Sequence, residues 1–395
     1  LYSGRDLEAF LKIYTEATGV DYTTEQCFII FDEIQYLKDW EIYLKSIVDK
    51  YSNIKCIASG SAAAALKLKS LESGAGRFSN FLLPPLTFYE YIYLLRKTDL
   101  VNVPRKEQGY LTEVNTDQIG DLNECFVNYL NFGGYPEVAL SEEIQKNPGQ
   151  FVKSDIIDKV LLRDLPSLYG VQDIQELNSL FTTLAFNTAD EVSLEQLSQR
   201  SGVAKNTIKR YIEYLEAAFL IKTVHRVDRS AKKFKRANFF KVYLTNPSMR
   251  SALFNLINEN DEAMGPLVET AVFSQWFHSD TLLHYARWVK GEVDIVYLGP
   301  NQKAAWAVEV KWSDRIVDHC DELKNVTQFC HEQSLKRVMV TTKTIKIIKN
   351  IQNVDLFFQP ASLYCYMLGY NVIHGRSSLE GLLKDGKAEQ PGEMR

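Results

Sequence analysis

The sequence predicts a multi-domain α/β protein, and three observations point to it. Residues 27–33, Cys-Phe-Ile-Ile-Phe-Asp-Glu, are a continuous apolar run that ends on two acids. Residues 40–51 then carry apolar side chains at helical spacing, and residues 55–61 form a second apolar run ending on small polar residues. Far downstream, residues 291–297 and 305–312 read as two strands around a Gly299-Pro300-Asn301 turn. A chain of 395 residues has room for roughly two to four domains.

The β-branched and aromatic run at 27–31 reads as a parallel strand buried on both faces. Acids at the carboxyl end of such a strand stand where α/β proteins bind ligands. Asp32 can hold a Mg²⁺ through its water shell and Glu33 can orient an attacking water, the Walker B pattern of nucleotide hydrolases. The alternative is an ordinary strand before an acidic helix start, where the dipole favours Asp and Glu. Trp40, Tyr43, Leu44, Ile47, Val48 and Tyr51 share one helical face. Strand, helix and strand with a short return make a βαβ unit, which sets the two strand ends side by side. Ser59 or Ser61 would then reach phosphates or the attacking water. Residues 62–73 are compatible with a helix, and Arg77 follows Gly74-Ala75-Gly76. An arginine there either stabilises transition-state charge on a neighbouring subunit, which implies a homo-oligomer, or caps a helix end.

FDEIQYLKDWE, IASGS and GRFSNFLLPPLTFYEY, in that order, resemble a bacterial and archaeal family of predicted AAA+ P-loop ATPases. Its members carry an FDEIQ-type Walker B strand, a serine-rich sensor strand and a Gly-Arg stretch. A Pro-Leu-(Ser/Thr)-Phe-x-Glu block follows, here Pro85-Leu86-Thr87-Phe88-Tyr89-Glu90. The resemblance continues through Gly133-Gly134-Tyr135-Pro136-Glu137 into a C-terminal domain of unknown function that looks like a restriction-endonuclease fold. It implies ATP and Mg²⁺ as cofactors. Asp32 would hold the metal, Glu33 polarise water, Ser59 sense the nucleotide and Arg77 act in trans.

One departure stands out. The family opens with a phosphate-binding loop, Gly-x-x-x-x-Gly-Lys-(Ser/Thr), and nothing in the 395 residues fits it. That loop supplies the N–H groups and the Lys that cradle phosphates. The chain starts on Leu1, directly before a helix-like segment at 6–18. The expectation is that the N-terminal strand and loop have been lost, with a pseudo-ATPase as the alternative. As written, the chain should bind nucleotide poorly or not at all.

Composition is that of an ordinary globular protein, 46% hydrophobic and 24% charged. A net charge of −5 argues against a strongly basic nucleic-acid coat, though not against a local basic patch. No run of eighteen apolar residues exists, so no membrane span is expected. No signal peptide is visible. The six cysteines lack any Cys-x-x-Cys spacing and read as reduced thiols of a cytoplasmic protein. His319-Cys320 and Cys330-His331 resemble two metal half-sites. Residues 315–332 read as one helix, however, which holds the pairs about 15 Å apart, too far to share a zinc.

Residues 96–116 are polar and mixed in charge, a loop or insertion. Residues 121–130 read as a helix ended by Gly133-Gly134-Tyr135-Pro136, and residues 151–162 as an amphipathic helix before Arg163-Asp164. These resemble the small helical lid of AAA+ proteins. Arg163 would face phosphate or pair with a nearby acid. Residues 174–186 are helical. Ser193 caps a helix that ends near Gly202, a longer helix spans 203–219, and residues 220–224 open a strand. That order is a helix-turn-helix with a wing. Its second helix would present Lys205, Asn206, Thr207, Lys209 and Arg210 to phosphates and base edges. The wing adds Arg226, Arg229, Lys232, Lys233, Lys235, Arg236 and Lys241 against one acid, Asp228. DNA contact is one reading; a protein-binding spacer with a solvated charged face is the other.

In 305–312, Trp306, Val308, Val310 and Trp312 point one way and Glu309 and Lys311 the other. A hairpin with 291–297 sets Asp294 beside Glu309. Two carboxylates and a lysine then make a Mg²⁺ site for phosphodiester hydrolysis. The set resembles the PD-(D/E)xK nuclease signature: Asp294, Glu309-x-Lys311 and Glu269 from the preceding helix, with Val293 where such nucleases often have Pro.

The domains expected are an AAA+ core at 1–95 lacking its phosphate-loop part, a helical lid region at 96–173 and a winged helix at 174–245. A restriction-endonuclease-like α/β domain at 246–376 and a polar tail at 377–395 follow. The function expected is nucleotide-driven ATPase action coupled to DNA. The alternatives are a metal-dependent nuclease regulated by the ATPase part, and a nucleotide-switched binding module without catalysis.

Overall fold

The computed structural model describes residues 7–60, 78–79, 81–107, 109–232 and 239–375. It divides into two compact units. The first takes in Leu1–Leu82, Asp158–Ile174 and Glu213–Phe219; the second takes in Leu83–Ile157, Gln175–Ile212 and Leu220–Arg395.

The first unit is built on two parallel strands, β1 (Cys27–Phe31) and β2 (Ile54–Ala58), in register from Cys27 opposite Ile54 to Phe31 opposite Ala58. Helices α1 (Leu7–Thr18) and α2 (Trp40–Lys50) belong to the same unit. Leu7, Leu11, Leu44 and Ile47 from these helices form a core with Tyr22, Ile34, Trp40 and Ile54. Cys27, Ile29, Phe31, Cys56 and Ala58 point into that core. The opposite face differs from expectation. Phe28 is 66% exposed, Ile30 70% and Ile57 55%. Among the described residues the strands alternate inward and outward, so one apolar face lies in the core shared with α1 and α2 and the other is exposed.

The second unit contains a nine-stranded mixed sheet in the order Ile347–Ile351, Val354–Pro360, Arg337–Thr342, Ala304–Glu309, Gly291–Leu298, Leu283–Trp288, Ile221–Val227, Phe239–Leu244 and Glu191–Ser193. The elements come in this order along the chain. Helix α3 (Phe88–Leu94) precedes a separate antiparallel hairpin, β3 (Asn102–Glu107) and β4 (Tyr110–Asn115). Then come α4 (Ile119–Phe132), α5 (Ile174–Phe186), β5 (Glu191–Ser193), α6 (Leu194–Ser201), α7 (Lys205–Ala217, whose residues from Glu213 onward fall in the first unit), β6 (Ile221–Val227) and β7 (Phe239–Leu244). The last part holds α8 (Met264–Ser274), β8 (Leu283–Trp288), β9 (Gly291–Leu298), β10 (Ala304–Glu309) and α9 (Lys324–Gln333). It closes with β11 (Arg337–Thr342), β12 (Ile347–Ile351), β13 (Val354–Pro360) and α10 (Ala361–His374).

The Ser193 hydroxyl caps α6 by accepting from the Gln196 N–H at 3.1 Å, and Gly202, at φ 74°, ends the helix in the left-handed region. Helix, glycine turn and helix therefore form as the spacing predicts. Strands β6 and β7 pair antiparallel after them, and β6 also runs parallel to β8, so one sheet joins that hairpin to β8, β9 and β10. The hairpin β3–β4 replaces the loop expected at 96–116. The sequence hides it because β3 contains Pro104 and buries nothing fully, while β4 buries only Leu111 and Val114. Residues 315–332 are not one helix: the chain leaves helical geometry at His319 (φ −110°, ψ 54°) before α9 begins. The amphipathic stretch at 151–162 is helical but widened to π-type turns over Gly149–Asp158 and Val160–Asp164.

The Pro85–Glu90 block is structural. The Thr87 hydroxyl accepts from the Glu90 N–H at 3.2 Å, and the Glu90 carboxylate accepts from the Thr87 N–H at 2.8 Å, a complete capping box for α3. The Leu86 N–H donates to the Gly134 carbonyl at 3.0 Å, and the Tyr129 hydroxyl donates to the Leu86 carbonyl at 2.8 Å.

Candidate functional sites

Each unit carries one cluster of chemically useful side chains. In the first, β1 and β2 end side by side. The Ser59 N–H donates to the Phe31 carbonyl at 2.8 Å, and the Ile34 N–H donates to the Ser59 carbonyl at 3.0 Å. These bonds carry the two chains past the ladder, so the Ser59 hydroxyl hydrogen-bonds Asp32 Oδ1 directly. The same Asp32 oxygen accepts the Glu33 N–H at 3.1 Å. Glu33 sits in the left-handed region at φ 52°, ψ 44°, a strained conformation for a residue with a Cβ. Its carboxylate is held by the Gln35 amide and by Lys159 Nζ at 2.9 Å. That bond raises the Lys159 pKa, and burial only partly opposes it.

Residues 158–174 are tied to this strand end twice more. The Tyr36 hydroxyl donates to buried Asp164 at 2.5 Å, and the Arg163 guanidinium lies over the Tyr36 ring at 5.0 Å. Burial and the Asp164 carboxylate push the Tyr36 phenol up to about 12. Arg163 therefore stacks on an aromatic ring. Asp32 is exposed at the strand end, and a lone hard-oxygen ligand of this kind suits a Mg²⁺ that keeps most of its waters. Arg77 and Ser61 lie outside the described residues. The Lys159 contact is not legible in the sequence, because nothing local signals a partner 126 residues away.

In the second unit, Asp294 on β9 and Glu309 at the end of β10 come together through the antiparallel pairing that sets Val308 opposite Ile295. Val308 and Val310 are buried in one core with Trp306 and Trp312 packed against it, the alternation the sequence predicts. Asp294 Oδ2 accepts the Val310 N–H at 2.8 Å and lies 3.6 Å from Lys311 Nζ. Lys311 Nζ also reaches Glu309 Oε1 at 2.7 Å. The face carrying Glu309 is not exposed: Glu309 is 8% exposed, and its Oε2 is buried without a hydrogen-bond partner. Burial, then the Asp294 charge, push the Glu309 carboxyl up to about 8. Glu269 on α8 joins the cluster through Lys241 Nζ at 2.8 Å and the Tyr243 hydroxyl at 2.7 Å. Burial raises its pKa to about 7 against the pull of Lys241. The orphaned oxygen and the hard-oxygen donors fit a Mg²⁺ in contact with one or two carboxylates. Among the described residues, no group of three or more His, Cys, Asp or Glu side chains is placed to hold a metal.

Lys241 departs from its expected place. Its side chain is 4% exposed, so it belongs to the interior and not to a solvated wing. Arg226 also turns inward, donating to the Arg287 carbonyl at 3.1 Å and lying 3.7 Å from Glu191. Arg229 pairs with Glu332. Lys205, Asn206, Lys209 and Arg210 are exposed at the start of α7, with Lys205 paired to Glu195. Lys232 is exposed in the turn after β6. Lys233, Lys235 and Arg236 lie outside the described residues.

Residues 3–92 match the family described as an AAA domain, and residues 123–260 match a domain of unknown function (DUF8612). Two uncharacterized proteins of Methanocaldococcus jannaschii are similar. MJ1544 is 23% identical over 81% of this chain and 68% of its own length; MJ1637 is 25% identical over 66% and 56%. An uncharacterized protein of Haemophilus influenzae is 21% identical over 86% of this chain and 78% of its own length. No solved structure gives a significant match. Among the described residues, no helix is long and apolar enough to cross a membrane.

Proposed function

We propose that the chain is part of a AAA-type ATPase whose hydrolytic acids are Asp32 and Glu33. The observation that carries this is the Ser59–Asp32 hydrogen bond across the carboxyl ends of two parallel strands, inside the stretch that matches the AAA domain family. In this reading Asp32 holds Mg²⁺ through its waters, and Ser59 fixes the Asp32 carboxylate and senses the nucleotide. Glu33 orients the attacking water once its ties to Lys159 and Gln35 loosen. Mg²⁺ supplies charge neutralisation on the phosphates when bound. Arg77 acts on a neighbouring subunit, residues 96–173 work as a lid, and α6, α7 and the β6–β7 hairpin act as a winged helix. That winged helix passes the nucleotide state to DNA through Lys205, Asn206, Lys209, Arg210, Lys232, Lys233, Lys235 and Arg236. The test is ATP hydrolysis by the native polypeptide that contains this chain. Turnover should need Mg²⁺ and should be lost in Glu33→Gln with ATP binding retained.

A second reading is favoured by the buried, unpartnered Oε2 of Glu309. Asp294 and Glu309 would hold one Mg²⁺ of a PD-(D/E)xK-type nuclease. Lys311 would position the attacking water, and Glu269 would shape the site through Lys241. Asp294→Ala should then abolish Mg²⁺-dependent plasmid cleavage and leave ATP hydrolysis intact. Cleavage that persists in Asp294→Ala rules this reading out.

A further inference from the structure

A cavity of about 320 Å³ lies in the second unit, lined by residues of α5, β5, α6 and β8. Asp32, Glu33, Asp294 and Glu309 are not among its lining, and its size is that of a small-molecule site. Local sequence builds it. After α5 the chain turns at Asn187–Asp190, where the Asp190 N–H donates to the Asn187 carbonyl at 3.1 Å, and β5 then runs directly into the Ser193-capped α6. Leu184 from α5 and Leu197 from α6 give the cavity an apolar wall.

Its charged lining is of two kinds. Arg200, on the last turn of α6, is exposed. Arg287, on β8, has a side chain 42% exposed and meets Glu191 at 3.7 Å and Glu292 at 3.2 Å. Both contacts are made by Nη1, which leaves Nη2 and Nε outside these pairs. Glu191 is compensated, since it also accepts the Tyr285 hydroxyl at 2.6 Å and lies 3.7 Å from Arg226. Two guanidinium groups on one cavity are the donors that recognise a phosphate. The other polar lining accepts. The Asp190 carboxylate has no proton to give, and Asn187 Nδ2 already donates to the Thr183 carbonyl at 2.9 Å, which leaves Oδ1 as an acceptor.

We infer that this cavity binds a nucleoside monophosphate. Arg200 and Arg287 take the phosphate, Leu184 and Leu197 flank the flat base, and Asp190 and Asn187 accept its N–H groups. Guanine suits the acceptors best, because its Watson–Crick edge sets two N–H donors side by side for one carboxylate. The inference is independent of the ATPase and nuclease readings. A phosphate on Arg287 competes with Glu292, which also pairs with Lys241 at 2.6 Å, and Lys241 lies 3.9 Å from Asp294. Occupancy of the cavity is therefore felt, through two ion pairs, at the second acid cluster.

The test is isothermal titration calorimetry of the full chain with GMP and with ribose 5-phosphate, in EDTA so that no Mg²⁺-dependent site contributes. GMP should bind at least about 10-fold more tightly than ribose 5-phosphate. Arg200→Glu, a change at an exposed position, should weaken GMP by about 10-fold or more. Thr183→Trp, which places a large ring in the lining, should do the same without touching a charge. Asp190→Ala should remove the advantage of GMP over ribose 5-phosphate. Asp32→Asn should leave GMP binding unchanged. Four results overturn the inference: no GMP binding, equal affinity for GMP and ribose 5-phosphate, binding that neither Arg200→Glu nor Thr183→Trp weakens, or binding lost in Asp32→Asn.

Discussion

Glu33 shows how much one residue can carry. Its backbone is left-handed, its carboxylate is held at both oxygens, and its neighbour Asp32 is fixed by Ser59. In the native polypeptide, Ser59→Ala should free the Asp32 carboxylate and lower ATP turnover by about 10-fold, the effect of one lost charge-assisted bond. Steady-state hydrolysis at saturating ATP checks this. A second residue-scale case is Asp314. Oδ1 accepts the N–H groups of Lys343, Thr344 and Ile345 at 3.0, 2.7 and 3.1 Å, and Oδ2 accepts the Thr344 hydroxyl at 2.7 Å. Burial pushes the Asp314 carboxyl up, but these bonds more than offset it and hold the carboxyl below its ordinary value of 3.8. A lowered folded-state pKa gives stability that is present above the unfolded value and is lost as pH falls through the folded value. Asp314→Asn should therefore cost about 1–2 kcal/mol at pH 7, a range that allows for partial solvent screening. The gap between variant and wild type should close below pH about 4. Urea melts across that range measure it.

At the scale of elements, the chain shows which signals survive folding and which do not. The two parallel strands, α2, the glycine turn between α6 and α7, and the β9–β10 hairpin were all legible, because apolar period, capping serine and turn glycine agree there. The β3–β4 hairpin was not, because Asn-Val-Pro-Arg-Lys-Glu has no strand pattern and forms only beside its partner. Lys241 lies inside although a basic residue near other basic residues looks solvated. The apolar residues on both sides of it in Phe-Phe-Lys-Val-Tyr-Leu were the better guide. The motif Pro-Leu-Thr-Phe-Tyr-Glu, noticed for its resemblance, turns out to cap α3. Thr87→Ala should cost about 1–2 kcal/mol through the lost cap, read by chemical denaturation. Gly134 is equally structural: a Cβ there would lie 2.5 Å from the Asn246 side chain. Gly134→Ala should destabilise the second unit by about 1–3 kcal/mol with no direct effect on the Asp32 cluster.

At the scale of the whole molecule, two units each carry an acid cluster with a built-in lysine. Lys159 ties residues 158–174 to Glu33 in the first, and Lys241 joins α8 to β9 in the second. The acids themselves were legible, because Asp-Glu after an apolar run and Glu-x-Lys in an alternating strand are local patterns. Lys311 was legible with them, whereas the contacts of Lys159 and Lys241 were not, because each of these lysines comes from a distant part of the chain. We propose that Asp32 and Glu33 act as the hydrolytic acids of a AAA-type ATPase. The most direct measurement is ATP hydrolysis by the native polypeptide, its N-terminus fixed by intact mass, with and without Mg²⁺ and beside Glu33→Gln. Mg²⁺-dependent turnover should fall by about 100-fold or more in Glu33→Gln while ATP still binds. Turnover untouched by Glu33→Gln, or a native polypeptide that neither binds nor hydrolyses ATP, would contradict it.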